Sequence, residues 1–547
     1  MSHISDRPPV ARAAVLDAAH LGDITGALGT IRQHDTGARL TWRRRLVTLL
    51  AILGPGLIVM VGDNDAGAFA TYTQAGQTYG TALLWTLLLL IPVLYVNQEM
   101  VLRLGAVTGV GHARLILERF GKFWGAFSVI DLFILNGLTI VTEFIGISLA
   151  LDYLGVSKLL GVGLAAVATM AAASTGNFRR FERFSLMLCL GSLLLVPVVL
   201  AVHVPAGQAM HDFFVPGFPD GKLSDIMLLV IGLVGTTVAP WQLFFQQSYV
   251  IDKRITPRFI GYEKVDLWIG ILLVMVGAVA LMVASAAVFA GRPEFGQFTD
   301  AGGVAAGFGK YVSPTVGVLF AIALIDAAII GAAAVSLSTA YAIGDVLSLR
   351  HSLHRKATDA KGFYLVYCGL IALAAALVLI PNAPLGLITE AVQVLAGVLL
   401  PSATVFLLLL CNDHAVLGPW VNGRWLNLFT GTVIAVLVLL SIVLTASVVY
   451  PDISDRQIVW ILGGGAVAGM LAVACWALLR APGAGAVLAD NARPLPRAMW
   501  RMPPLGELAP VRLTSAKKLW MVVLRVYFVV AVGIVVVRVV QLALSGM

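Results

Sequence analysis

A long apolar segment that begins at Leu46 is interrupted by the polar sequence VGDNDAGAFATYTQAG at residues 61–76. The interruption places two carboxyl groups, those of Asp63 and Asp65, where a helix that crosses a bilayer lies in hydrocarbon. A charged side chain at the centre of a membrane helix costs about 2.5 to 3.5 kcal/mol on insertion scales, and such residues usually serve a function. The sequence therefore predicts a functional site inside a membrane.

The small residues beside the acids indicate how such a site is built. The sequence Asp65-Ala66-Gly67-Ala68 can let a helix unwind and expose backbone carbonyl groups next to a carboxylate, as many transporters do at the bilayer midplane. The alternative is an outer loop between two short spans. The apolar run before Asp63 is already near the lower limit of the roughly 17 to 25 residues that one crossing needs, which favours a broken helix.

The composition excludes a soluble globular protein. Of the 547 residues, 59% are hydrophobic and 12% are charged, and the mean hydropathy is +0.92. These values are typical of a polytopic membrane protein. The net charge of +8 would suggest nucleic acid in a soluble protein, but here the basic residues belong to loops, and we expect no nucleic-acid partner. Neither a disulfide framework nor a zinc site is indicated, because no CxxC spacing occurs among Cys189, Cys368, Cys411 and Cys475.

Hydropathy predicts about twelve transmembrane helices, the first of which follows Arg43, Arg44 and Arg45. The others lie at about 80–103, 124–150, 159–175, 184–203, 225–250, 266–290, 314–345, 363–381, 386–410, 427–449 and 458–479. The arginine triplet places the N-terminus in the cytosol. Lys and Arg then cluster in the cytosolic loops, at 103–122, 179–183, 253–264 and 350–361, whereas the opposite loops are nearly bare. This alternation supports the helix count and a multi-pass location in the cell (inner or plasma) membrane, with the lipid bilayer as a partner.

The chain is predicted to have three parts. Residues 1–45 lack a cleavable leader and form a cytosolic tail, residues 46–480 form the transmembrane domain, and residues 481–547 form a cytosolic linker with an apolar helix. That last segment, 519–544, contains Arg525 and Arg538, which lie roughly 20 Å apart along a helix and can reach opposite headgroup layers. The spacing favours a thirteenth span over an interfacial helix.

The sixth predicted span also contains an interruption. Its sequence VGTTVAPWQLFFQQSYV, at 234–250, includes Pro240, which removes a backbone donor and clashes with the preceding turn. Breaks in helices one and six, five spans apart, are what an inverted repeat of five plus five helices produces. A simple proline kink is the alternative, and the neighbouring polar residues Thr236, Thr237 and Gln242 argue against it.

At these two segments the sequence resembles the NRAMP family of divalent metal transporters. The family's first-helix motif Asp-Pro-Gly-Asn falls on Asp65-Ala66-Gly67-Ala68, and its sixth-helix motif Met-Pro-His falls on Ala239-Pro240-Trp241. Further matches lie at 54–56, 98–109 and 143–146 and in the tenth span near Gln393 and Pro401. The resemblance covers roughly residues 46–450. It implies an all-α LeuT-type fold with a five-plus-five inverted repeat, in which unwound helices one and six hold the substrate.

Two departures from the family motifs bear on the metal. The resemblance places the family's asparagine amide at Ala68 and its methionine sulfur at Ala239, so both ligands are missing. Thioethers favour transition metals, whereas oxygen-only sites suit Mg²⁺, Ca²⁺ or Mn²⁺. The missing side chains also leave room for water, which Mg²⁺ retains when it binds. The pattern is similar to the NRAMP-related magnesium transporters, and the candidate metal-site residues are Asp63, Asp65, Ala66, Ala239, Gln242 and Gln393.

The second departure concerns proton coupling. The resemblance places the family's proton-route residues at Ile140, Trp241 and Gln246, none of which titrates, so only Glu143 remains. All nine histidines lie outside the predicted spans or at their ends, so an imidazole relay is not expected. Glu143 is either a transport residue or a packed acid bonded to backbone. Two further acids within predicted spans, Asp131 and Asp326, receive no assignment.

The sequence therefore predicts a transporter of divalent metal ions, with Mg²⁺ as the first candidate and Mn²⁺ as the second, that works by alternating access without proton coupling. A proton-coupled importer of Mn²⁺ or Fe²⁺ and a sodium-coupled carrier of a small organic solute remain as alternatives. An acid at Asp65 argues for a cationic substrate. We expect no enzyme activity, because no HExxH motif or catalytic dyad is found in the spans, and no cofactor, because Mg²⁺ is cargo. The oligomeric state is left open.

Overall fold

The computed structural model describes residues 16–381, 384–450, 453–479 and 496–508, with six isolated positions between 511 and 533. The described chain is almost entirely helical, with one two-stranded hairpin. The predicted thirteenth span at 519–544 lies outside the described residues except for isolated positions, and so does most of the predicted linker. The division into tail, transmembrane domain and C-terminal part stays a prediction.

Strands β1 (Ile24–Thr25) and β2 (Thr30–Ile31) precede twenty α-helices. The first ten are α1 (Trp42–Ile52), α2 (Pro55–Val61), α3 (Ala66–Tyr79), α4 (Leu84–Thr108), α5 (His112–Phe120), α6 (Lys122–Tyr153), α7 (Lys158–Ala173), α8 (Phe178–Gly191), α9 (Leu195–Ala201) and α10 (Ala206–Phe214). The others are α11 (Leu223–Thr237), α12 (Pro240–Asp252), α13 (Ile260–Phe289), α14 (Ala301–Tyr311), α15 (Pro314–Val346), α16 (Lys361–Val378), α17 (Leu385–Cys411), α18 (His414–Leu417), α19 (Arg424–Val449) and α20 (Asp455–Leu479).

The first span is interrupted twice. Helices α1 and α2 meet at an angle of 51°, and the bend is made by Gly54, whose φ of +154° suits a residue without a side chain, followed by Pro55 in the first turn of α2. The second interruption separates α2 from α3 and covers residues 62–65.

The position of this second break corrects the sequence prediction, which placed the unwound stretch at residues 65–68. Asp65 is instead the N-cap of α3, and its carboxylate accepts the Ala68 N–H at 2.8 Å. An aspartate N-cap stabilises a helix start by about 1 kcal/mol, and the two alanines that follow favour helix. Ala66, Gly67 and Ala68 therefore form the first turn of a helix.

The break in the sixth span lies where the sequence predicts it. Helix α11 ends at Thr237 and α12 begins at Pro240, with Val238 and Ala239 between them. Pro240 occupies the first turn of α12, where its missing N–H leaves no helical hydrogen bond unmade. The proline thus starts a new helix rather than kinking a continuous one.

Each of the twelve predicted spans coincides with helix in the structure. Among the described residues, nine helical segments are long and apolar enough to cross a membrane, with α8 and α9 taken as one segment and α11 and α12 as another. The number is ten if α1 and α2 also count as one bent span. The remaining two predicted spans correspond to α7, which has 16 residues, and α20.

The core packing follows the expected repeat. Counting helix pairs as spans, span three (α6) packs on span eight (α15), and span two (α4) packs on span seven (α13), so positions five spans apart meet in the centre. The last helix of span one, α3, lies against α13, and α11 lies against α17. The two broken spans are thereby held side by side.

Candidate metal site

Two breaks lie close together, the one between α2 and α3 at residues 62–65 and the one between α11 and α12 at residues 238–239, and we call this place the junction. Asp65 lies at the junction, with 3% of its surface exposed. One carboxylate oxygen, Oδ1, caps α3 through the Ala68 N–H at 2.8 Å. A carboxylate has about four lone-pair positions, so one capping bond leaves capacity for a cation. The negative charge also offsets the positive amino end of α3, which on its own would repel a cation.

Glu143 of α6 supports the same helix start. Its Oε2 accepts the Ala66 N–H at 3.0 Å, and the residue is fully buried. Both acids lie against Gly331 of α15, where an added Cβ would come within 2.8 Å of the Asp65 Cβ and of Glu143 Oε2. A backbone-bonded packing role of Glu143 is therefore present in the structure, beside the candidate site.

Asp63 lies in the break and joins the two interrupted spans. Its Oδ1 accepts a hydrogen bond from the Gln242 side-chain amide of α12, and the Gln242 Oε1 in turn accepts from Gln98 Nε2 of α4 at 2.8 Å. Asp63 is fully buried, and its Oδ2 has no partner within the described part of the chain. The Gln242 side chain is thus hydrogen-bonded to both Asp63 and Gln98 in this conformation.

Gln393 of α17 approaches the other side of Asp65. A Cβ on Gly67 would collide with the Gln393 amide nitrogen and would lie 3.2 Å from Asp65 Oδ1, so the amide and the carboxylate crowd the same glycine. The Gln393 Nε2 atom is buried and has no hydrogen-bond partner among the described residues. The side chain is therefore available beside Asp65.

The alanines at the ends of α3 and α12 leave the site short of side-chain ligands. Ala239 is the N-cap of α12 and is 6% exposed, with only a methyl group to offer. Ala66 lies in the first turn of α3 and packs against Gly146 of α6. Next to them, the Tyr72 hydroxyl and Thr237 Oγ1 are 2.8 Å apart and connect α3 to the end of α11.

Half-helix ends add to the electrostatics of the junction. Helices α2 and α11 end here with their carbonyl groups, and each such end carries partial negative charge of up to roughly half an electron. Helices α3 and α12 begin here with partial positive charge. The four ends roughly cancel, so the carboxylates of Asp63 and Asp65 give the junction its net attraction for cations.

A narrow cleft reaches this junction from one end of the bundle. It lies between α3, α6, α14 and α17 and is lined at its inner end by Ala66 and Thr142 and farther out by Asp300 and Glu390. The end of the bundle where it opens is opposite to the end that carries residues 16–31. We call the latter end the N-terminal face.

The donor set at the junction is poor in charge. Among the described residues, no group of three or more His, Cys, Asp or Glu side chains is placed to share one metal ion. An ion held here would rely on Asp65, with Asp63 close by, and on neutral amide and carbonyl oxygens. Such a set suits a hard cation that keeps part of its water shell.

Sequence reasoning missed Gln98 as a member of this network. It lies in the run Asn97-Gln98-Glu99 within an otherwise apolar α4, and this polar run was the available signal. The intramembrane acid Asp326 does not join the junction but lies against Gly191 of α8.

Comparison with known proteins identifies the architecture. Residues 56–447 match the Nramp family model, described as natural resistance-associated macrophage protein-like. A divalent metal cation transporter MntH of Ralstonia nicotianae is 31% identical over 398 residues, which is 69% of this chain and 86% of that protein. A divalent metal cation transporter MntH of Bacillus subtilis is 27% identical over 412 residues, covering 72% of this chain and 92% of that protein.

The fold is found in a solved structure as well. A crystal structure of the Eremococcus coleocola manganese transporter superposes with a TM-score of 0.60 at 19% identity, over 84% of this chain and 98% of that one. This likeness, together with the paired breaks, identifies the fold as the LeuT type. Members of the matched family are membrane transporters rather than enzymes, and they work without a cofactor. Because the family model matches most of its length, the chain belongs to the Nramp family of membrane transporters.

Proposed function

We propose that the protein carries divalent metal cations across the membrane by alternating access and that Mg²⁺ is its preferred cargo. The observation that supports this most is the make-up of the two broken spans, where Asp65 caps α3 and positions 68 and 239 are both alanine. The family resemblance places an amide and a thioether at those two positions. With both missing, the cation meets oxygen ligands and water.

Chemistry favours Mg²⁺ at such a site. Mg²⁺ gives up its water reluctantly and is usually bound through one or two carboxylates with several waters retained. Transition metals gain from sulfur and nitrogen ligands, which the residues around Asp65 do not supply. Asp65 would bind the ion or its inner water, and Gln393 and the carbonyl groups of the break would hold the remaining shell.

We further propose that transport is not coupled to protons and that the N-terminal face is cytosolic. Two of the positions matched to the family's proton route, Trp241 and Gln246, are buried in α12 and do not titrate. The basic residues at 43–45 and 179–183 lie at the starts of α1 and α8, and those at 253–258 follow α12, all at the N-terminal face, as the positive-inside rule expects of a cytosolic side.

A second candidate function is proton-coupled transport of Mn²⁺. The similar solved structure is of a manganese transporter, and Glu143 remains beside Asp65 as a possible proton carrier. This function requires that Mn²⁺ outcompete Mg²⁺ and that ion entry acidify the vesicle lumen.

Uptake into proteoliposomes tests both functions. We expect the purified protein to fill vesicles with Mg²⁺, read by an internal dye, in the absence of sodium. Asp65→Asn keeps a good N-cap but removes the charge, and losing one partner of a buried charged pair costs about 3 to 5 kcal/mol. Uptake should therefore fall about 100-fold or more.

Asp326→Asn is the matched control, since it neutralises an intramembrane acid away from the junction and should leave uptake unchanged. Normal Mg²⁺ uptake by Asp65→Asn would place the site elsewhere. Strong inhibition of Mg²⁺ uptake by equimolar Mn²⁺ would favour the manganese function. If the protein took up no Mg²⁺ under any condition but took up a small organic solute in the presence of sodium, the organic-solute carrier would be supported.

A further inference from the structure

The N-terminal segment 16–31 is folded onto the bundle. It contains a short 3-10 helix, Ala18–His20, and the hairpin of β1 and β2. Its apolar side chains Ile24, Ala27 and Ile31 are 2–6% exposed, so they are inserted between the helix ends rather than lying in solvent. We call residues 16–31 the N-terminal clip.

The first attachment of the clip is an ion pair to the loop after α15. Arg355 Nη2 lies 2.5 Å from Asp17 Oδ1, and Arg355 Nε donates to both carboxylate oxygens at 3.0–3.1 Å. The His351 N–H also donates to Asp17, at 3.2 Å. Burial opposes the charge on Asp17, but the Arg355 guanidinium prevails and holds the pKa of the carboxyl at about 2.

The second attachment holds the hairpin turn against α8. Glu182 accepts the Ala27 N–H, and Arg183 Nε donates to the Ala27 carbonyl at 3.0 Å. The other oxygen of Glu182 pairs with Lys253 Nζ at 2.6 Å, and Lys253 also donates to the Leu53 carbonyl at 2.8 Å. The turn is therefore tied to α8, to the end of α12 and to the bend between α1 and α2.

The third attachment comes from the end of α12. Arg254 donates to the Ala19 carbonyl at 2.9 Å and to the Asp23 carbonyl at 3.0 Å. His20 Nε2 of the clip donates to the His351 carbonyl oxygen at 3.1 Å and lies 3.6 Å from Asp252 Oδ1. The clip thus bridges three helix ends that belong to different spans.

A small cavity lies directly beneath the clip. Leu16 and His20 line it from the clip, and Ser248, Tyr341 and Asp345 line it from α12 and α15.

Between this cavity and the break in the sixth span, α12 carries buried polar atoms without partners in the described part of the chain. They are Trp241 Nε1, both amide atoms of Gln246, and Tyr249 Oη. Buried polar atoms are almost always hydrogen-bonded, to water if not to protein, so these atoms are candidate partners of buried water. They lie in the helix that runs from the break in the sixth span to Ser248 and Ile251, which line the cavity that the clip covers.

We propose that the N-terminal clip is a detachable closure of the N-terminal face and of the cavity beneath it, which holds α8, α12 and the loop after α15 together while the metal site opens to the opposite face. The clip leaves its seat when the site opens to the N-terminal face, and cargo passes through the cavity. The effect on transport rests on the function proposed above, whereas the closure itself does not.

Cysteine labelling tests the closure without any cargo. In a chain whose four cysteines are replaced by Ser, Ser248→Cys places a thiol in the covered cavity and Thr389→Cys places one in the opposite cleft. We expect Arg355→Ala to speed maleimide labelling at position 248 in the purified protein by about tenfold or more. Labelling at position 389 should not speed up. The charge-exchanged pair Asp17→Arg with Arg355→Asp should restore slow labelling at 248.

Arg350→Ala is the matched control, because Arg350 is an exposed arginine of the same loop and should leave labelling unchanged. Asp17→Ala breaks the ion pair from the other side and should behave like Arg355→Ala, which guards against a folding defect of one variant. Unchanged labelling at 248 in both variants would overturn the closure. If labelling at position 248 speeds up as expected but neither the parent protein nor any variant takes up Mg²⁺, the proposed cargo is wrong and the closure is still supported.

Discussion

Asp65 could be predicted from the sequence because a carboxylate in an apolar span is costly anywhere except at a site. Its capping of α3 could not, because the break prediction assumed that the small residues after it unwind. Gln242 was likewise recognised as polar and central, but its direction depends on Gln98 of another helix. Residue identity is therefore readable from the motif, whereas side-chain orientation requires the packed neighbours.

Ala239→Met is expected to shift selectivity from Mg²⁺ toward Mn²⁺ and Cd²⁺. The added thioether favours softer cations and narrows the space that water occupies. Competition of Cd²⁺ against Mg²⁺ uptake in proteoliposomes measures the shift, and we expect the inhibitory concentration of Cd²⁺ to fall about tenfold. Unchanged selectivity would show that position 239 does not face the ion.

His351 gives the N-terminal face a pH dependence. Burial works against protonation of its ring, but the pair with Asp345 at 3.0 Å and the Leu349 carbonyl raise its pKa to about 9. His20, Tyr341 and Asp252 also face the ring. A raised pKa means that the stabilisation is complete below the unfolded value of about 6.5 and is lost as the pH rises through 9.

We therefore expect the melting temperature of the purified protein to fall between pH 7 and pH 10, with a contribution on the order of 3 kcal/mol from this group. His351→Gln, which is neutral throughout, should have a lower melting temperature at pH 7 and should lack that part of the decline. Parallel pH curves for the two proteins would remove His351 as the source.

At the scale of elements, the break between α2 and α3 and the break between α11 and α12 could be predicted, because acids, glycines and proline disrupt long apolar helices. The exact limits of the first could not, since capping energies of about 1 kcal/mol decide where α3 begins. The bend between α1 and α2 was not anticipated, although Gly54 and Pro55 were its signal.

The contact of α11 with α17 depends on two glycines. A Cβ on Gly235 would collide with the Gln393 carbonyl oxygen and lie 2.9 Å from Gly397 Cα. We expect Gly235→Ala to destabilise the protein by about 1 to 3 kcal/mol and to weaken Mg²⁺ uptake, because α17 carries Gln393 to the site. Thermal unfolding and uptake measure the two effects.

Gly369→Ala of α16 is the control for this substitution, because an added Cβ there meets no heavy atom within 4 Å. It should leave the melting temperature unchanged or slightly higher, since Ala is the better helix former. Equal behaviour of the two variants would mean that α11 and α17 can separate without cost.

For the whole molecule, the spacing of the two broken spans, together with the family resemblance, was enough to predict the repeat. The clip was beyond prediction, because its contacts join residues 150 to 340 positions apart in sequence and its two-residue strands carry no periodic signal. Long-range contacts of so short a segment leave no local pattern.

Transport as a whole is expected to run down the Mg²⁺ gradient and the membrane potential without protons. A pH-sensitive dye inside proteoliposomes should show no acidification that tracks Mg²⁺ entry, because coupling needs a group whose protonation differs between the two access states. Acidification that follows Mg²⁺ and disappears in Glu143→Gln would restore proton coupling and assign it to that carboxyl.

The capping bond of Asp65 gives the protein an internal reporter of occupancy. The oxygen that accepts the Ala68 N–H belongs to the carboxylate that is proposed to meet the ion. A dication at that carboxylate withdraws electron density from the bond, so the Ala68 amide resonance should move when the site fills, before any helix changes position. Selective ¹⁵N labelling of alanine would therefore turn one backbone amide into a direct titration of an ion that has no spectroscopic signature of its own.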